Sequence, residues 1–171
     1  MKVSDLHTVL LQDLQALLPE WLFVSSLRHF KRSIGPVNWL FHIAFVNHLE
    51  DFDAIGNVAV EFLCAGKRVA IVGAQLGNIA GVGQTRHPVI SPGSCAQAAR
   101  SLVAEFQRVG LPFLERYSSA ATVLSVLRSG DTEASLISPL RELHESQIAA
   151  LQVLGAPLSN SFKPNPLRSS A

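Results

Sequence analysis

What this 171-residue chain lacks narrows its roles first. Its two cysteines, Cys64 and Cys95, are too few for a disulfide framework. Charged residues make up only 16%, and a net charge of +1 gives no broad pull toward nucleic acid or an anionic membrane. No uninterrupted apolar run approaches the roughly 20 residues that span a bilayer. The longest, Val37 to Val46, is interrupted by Asn38 and His42. The N-terminus has no basic region followed by an apolar run and a cleavage site, so no signal peptide and a cytoplasmic location are expected. There is no internal repeat.

The signatures of common enzymes are also missing. Gly73, Gly77, Gly81 and Gly83 crowd one region, but no Gly-Lys-Ser/Thr follows, and Gly81-Val82-Gly83 lacks the third glycine of a dinucleotide fingerprint. A turn, plus a strand glycine where a neighbour comes close, explains them better. No Gly-x-Ser-x-Gly elbow and no His-Glu-x-x-His helix occurs. No cofactor and no metal are expected.

What is present is a hydrophobic content of 48%, enough in a chain of this length for a real core. From Val37 the residues alternate. Val37, Trp39, Phe41, Ile43 and Phe45 form one apolar face; Asn38, Leu40, His42, Ala44 and Val46 form a half-polar one. Ile55 to Cys64 repeats the pattern, with Val58, Val60, Phe62 and Cys64 against Asn57, Ala59 and Glu61. A turn at Ala65-Gly66 leads into a strand from Lys67 to Leu76, pairing Phe62 with Val69 and Val60 with Ile71, with Glu61 diagonal to Arg68. Short connections make these strands antiparallel.

Elsewhere a helix is expected from Asp5 to Leu18, capped by Ser4, with Leu6, Val9, Leu10, Leu14, Leu17 and Leu18 as its stripe. Trp21 to Arg32 reads as a charged edge strand. Residues 77–92 read as a loop or an irregular edge, and a helix follows from a Ser94 cap to about Val109, stopped by Gly110. A short helix covers Ala120 to Arg128. The last helix starts at a Ser138 cap with Pro139, its stripe being Leu140, Leu143, Ile148, Leu151 and Leu154. That stripe can pack internally or pair two copies. Residues 1–155 thus read as a single α+β domain: an antiparallel sheet of about four strands with helices packed on one face. Residues 156–171 read as a flexible tail.

Four groups of side chains carry the candidate chemistry. Cys95 sits just inside a helix N-terminus, which favours the thiolate, and His87 on the preceding loop could serve as its base, as in a small hydrolase or transferase. His48, Glu50, Asp51 and Asp53 form a polar cluster whose spacing fits neither a calcium loop nor a zinc motif. Arg28, His29, Lys31 and Arg32 surround Phe30, a pattern that a single-stranded nucleic acid could use. A protective charged edge explains it better. The half-polar sheet face offers His42, Asn57, Glu61 and Arg68 as a binding surface, with Arg86 and His87 on the loop beside it.

The order of an N-terminal helix and a strand block, followed by Ile71-Val72-Gly73-Ala74-Gln75-Leu76-Gly77 and Gly110-Leu111-Pro112-Phe113-Leu114-Glu115, resembles an uncharacterised family of small bacterial proteins. Some relatives of that type are grouped with toxin-immunity proteins. The resemblance covers residues 1 to 130 and supplies no catalytic residues. It implies a soluble bacterial protein that acts by binding another protein. The leading expectation is therefore a non-enzymatic, immunity-like binding domain. The alternatives are the Cys95 enzyme and a nucleic-acid module, and a homodimer stays open.

Overall fold

In a computed structural model, which describes residues 2–64 and 67–155, the chain is α+β around an antiparallel sheet. The side chains of residues 64 and 67–69, the Ala65-Gly66 turn and the expected tail at 156–171 lie outside the described residues. The strands are β1 (Leu22–Val24), β2 (His29–Ile34), β3 (Val37–Asn47), β4 (Phe52–Cys64), β5 (Lys67–Gln75) and β6 (His87–Val89). They follow one another in space in the order β1 to β5. β6 pairs with the first residues of β4, in line with β5. The sheet therefore has six strands among the described residues, more than the expected four.

The aromatic face of β3 makes the core as its alternation requires. Val37, Trp39, Phe41 and Ile43 are buried against Val58, Val60, Phe62, Ala70 and Val72 of the neighbouring strands. α1 (Val3–Leu17) and α3 (Pro92–Glu105) pack on each other and cover this face with Leu6, Leu10, Leu14, Ala99 and Leu102. A π-helical turn (Phe106–Gly110) carries α3 directly into α4 (Leu111–Arg116), so Gly110 does not stop the helix. Gly110 serves close packing instead. A Cβ there would meet Phe106 at 2.7 Å and Leu76 at 2.9 Å. Phe106 uses that space to stack on Phe41, ring centroids 4.3 Å apart.

Several expected boundaries move, each for a local reason. α1 starts at Val3, because the Asp5 carboxylate accepts the Lys2 main-chain N–H and completes the first turn. Leu17 of its expected stripe is exposed. Trp21 to Arg32 is two strands, because Arg28 adopts a left-handed conformation (φ 50°) after a 3₁₀ turn at Ser25–Leu27 and folds the segment on itself. Ser91, not Ser94, caps α3; Ser94 is the third helical residue, and its hydroxyl accepts the Ser91 N–H. The segment read as a loop or an irregular edge holds the end of α2 (Leu76–Ile79) and the short strand β6. α2 turns tightly at Gly77, where any Cβ would lie 2.1 Å from the Gly83 carbonyl oxygen.

The β4–β5 register also differs from expectation. Leu63↔Arg68 and Cys64↔Lys67 pair as a two-residue loop demands, but a shift then sets Phe62 opposite Ala70 and Val60 opposite Val72. Val69 has no partner in that pairing, and Ile71 moves to the other face, opposite Glu61. Past α4, α5 (Ala120–Ser129) forms as expected with Ser119 as its cap. α6 (Thr132–Ile137) follows, and Ser138 ends α6 rather than capping the last helix. A 3₁₀ turn at Arg141–Leu143 leads into α7 (His144–Gly155). α6 and α7 pack against β5, the outermost strand.

Candidate functional site

The two faces of the sheet end up unlike. The second face, carrying Asn38, Leu40, His42, Asn57, Ala59, Glu61 and Ile71, has no helix layer of the kind α1 and α3 make on the first. Its outer end, at β5, opens into a groove of about 730 Å³. Asn57 and Ala59 of β4 and Ile71, Gly73 and Gln75 of β5 form one side; Leu136 of α6, with Pro139, Leu140 and Leu143 between α6 and α7, forms the other. A smaller hollow of about 260 Å³ continues from it across β3, between Leu27, His29, Leu40 and His42. Large apolar side chains stand open along this surface: Leu27 is 53% exposed, Ile71 38%, Leu140 54% and Leu143 43%.

The polar groups of this surface are mostly committed. Ser33 Oγ donates to Asn38 Oδ1 at 2.8 Å, and Asn38 Nδ2 donates to Glu61 Oε2 at 2.8 Å. Asn38 and Glu61 are buried, so Glu61 belongs to a structural ladder and not to an open surface. His42 lies directly across from His29 on one side and Asn57 on the other. Burial holds the His42 pKa below its usual 6.5, with the charge of Arg28 and the neighbouring His29 acting in the same direction. Gln147 Nε2 donates to the Ile71 main-chain carbonyl at 2.9 Å, and Gln147 Oε1 accepts from the Ser138 hydroxyl at 2.8 Å. Hydrogen bonding and apolar contact are the chemistry this set supplies.

The structure brings His42 and Asn57 together on the open face, as the alternation implies. The Arg68 side chain lies outside the described residues. Arg86 and His87 belong to another region. Arg86 Nη1 is 3.4 Å from Asp53 Oδ2. His87 Nε2 is 3.0 Å from Glu105 Oε2 of α3, a buried carboxylate that also accepts from the Thr85 hydroxyl at 2.7 Å. That cluster ties β6 to α3.

The Cys95 alternative loses its physical basis. The thiol is fully buried and donates to the main-chain carbonyls of Leu6 (3.7 Å) and Ser91 (3.6 Å). Burial pushes its pKa up, the reverse of an activated nucleophile. The basic run offers no stacking platform, because Phe30 is fully buried, Arg32 pairs with Glu20 at 3.2 Å and Arg28 lies over the Phe45 ring. His48 contacts Asp51 (3.7 Å) and Asp53 (3.4 Å), yet among the described residues no group of three or more His, Cys, Asp or Glu side chains is placed to hold a metal. A cleft of about 480 Å³ beside α4 is lined by Arg108, Arg116 and Tyr117. Glu133 occupies its polar end: it accepts from Arg116 and from the Tyr117 hydroxyl, whose pKa burial and that carboxylate push up to about 12.

The groove wall at 136–147 was not readable as a site. Leu140 and Leu143 count as a helical stripe only if the helix starts at Pro139. One signal was available. Gln147 falls where the phase of Leu143 and Leu151 calls for an apolar residue, and it is buried.

The class defined by fold and geometry is an α+β chain with one covered sheet face and one partly open, groove-bearing face. No protein-family model, curated protein or solved structure matches it. Among the described residues no helix is long and apolar enough to cross a membrane.

Proposed function

We propose that the chain is a non-enzymatic binding domain, immunity-like in kind, that engages another protein through the open sheet face and the groove beside β5. One observation carries this reading: Leu27, Ile71, Leu140 and Leu143 are open on a single concave surface. Contiguous exposed apolar surface rimmed by polar groups is characteristic of interaction sites. The committed hydrogen bonds of Asn38, Glu61 and Gln147 add that the surface is pre-shaped.

The test is quantitative co-purification from the native host. Ile71→Asp and Leu140→Asp are expected to lose a partner that the unaltered chain retains. Leu49→Asp, at a loop position 94% exposed and away from the groove, should keep it. Equal recovery with all three variants, or no partner for the unaltered chain, would contradict the proposal.

A further inference from the structure

We infer that the partner engages the groove with an extended peptide segment that adds a strand to the edge of β5 between Ile71 and Gln75. This rests on the binding reading above and names what the groove takes.

Leu63 N–H donates to the Pro36 carbonyl at 3.1 Å, so odd-numbered residues of β4 turn their N–H and C=O toward β3. The even-numbered ones turn toward β5, which makes Val60↔Val72 and Val58↔Ala74 its hydrogen-bonded pairs. Ile71, Gly73 and Gln75 therefore point their N–H groups out of the sheet, into the groove that they line. The bond from Gln147 Nε2 to the Ile71 carbonyl shows this direction independently. A side-chain amide there does for one residue what a neighbouring strand would do for several. No group among the described residues reaches the outward N–H and C=O of Gly73.

Three features select an extended peptide. First, the outward main chain presents donors and an acceptor alternating along one line, and only another extended backbone matches that pattern of partial charges. Second, proteins guard an edge with charge, proline, shortness or a covering helix; α6 and α7 flank β5 and Gln147 already takes the Ile71 carbonyl, but the groove between that wall and the strand is open at Gly73. The other edge, β1, is three residues long, whereas β5 from Ala70 to Gln75 carries neither charge nor proline. Third, the facing wall is apolar, with Leu136, Pro139 and Leu140 placed to receive the side chains of an added strand. A folded sheet edge from a second copy would meet that wall, and its own β5 carries the same wall alongside.

The test selects a random-peptide display library against the full chain and follows the selected peptides by amide NMR. The largest shifts are expected at Gly73 and Gln75. Methylating alternate peptide nitrogens should abolish binding. Leu140→Asp should weaken it about tenfold, in the range of an interface anchor, while Leu49→Asp leaves it unchanged. The inference is overturned if no peptide is selected, if Gly73 stays unmoved, or if methylated peptides bind equally well. It also falls if the Gly73 amide shifts with the chain's own concentration, which would mark a second copy, or if that amide is already protected in the free chain. If peptides fail but Ile71→Asp still loses the native partner, strand addition is wrong and the binding function stands.

Discussion

The two faces of this sheet come from the same strands and have opposite fates. On the first, Trp39, Phe41, Ile43, Val58 and Val60 are sealed by α1, α3 and the π-helical turn. On the second, buried polar side chains, Asn38 and Glu61, sit beside half-open apolar ones such as Ile71. A chain that only needed stability would gain by covering both faces, since buried apolar area contributes about 25 cal/mol per Å². That difference is the ground of the proposal that the second face takes the partner.

Substitutions can break this comparison, and the largest effect should come from the covered face. Phe106→Ala removes the ring stacked on Phe41 and is expected to cost about 3–5 kcal/mol of stability, read from urea unfolding. Leu140→Asp should stay within about 0.5 kcal/mol, and Ile71→Asp should cost about 1 kcal/mol because it sets a carboxylate opposite Glu61. Similar losses on both faces would erase the distinction. Asn38→Ala falls between them, at about 1–3 kcal/mol, because Ser33 and Glu61 each lose a buried partner.

The same contrast explains how much the residues disclosed. β3 was legible because its aromatic side chains all fall on one parity. β5 was not: Ala70, Ile71, Val72 and Ala74 are apolar on both parities, so alternation does not choose a register, and the shift at Val69 decides it. Arg28 hid a hairpin because a left-handed turn without glycine has no sequence mark. Gly110 looked like a helix stop but meets Phe106, Leu76 and Val58, contacts that exist only once helix and sheet have packed. His42 and Asn57 were found by alternation. The groove wall was not, because Ser138-Pro139 imitates a helix start while Ser138 in fact binds Gln147.

A smaller effect sharpens the account of His42. Its folded pKa is below the unfolded value of 6.5, so the unfolded chain takes up a proton first as pH falls. This group costs nothing well above pH 6.5 and lowers stability progressively below it, down to its folded pKa. His7, also lowered chiefly by burial, adds to the slope. Urea midpoints followed downward from neutral pH should decline less in His42→Asn than in the unaltered chain; an identical decline would remove His42 from the explanation. The smallest response is expected at Cys95: a thiol reagent should leave it unmodified in the folded chain and label it on unfolding, whereas rapid labelling of Cys95 in the folded state would show that it is not buried.

The most direct test is amide hydrogen exchange on the complex recovered from the native host. New protection is expected at Ile71–Gln75 and across residues 135–143, with α1 and α3 unchanged. Protection confined to β1, β2 or the loop around Leu49, with β5 unaltered, would contradict it.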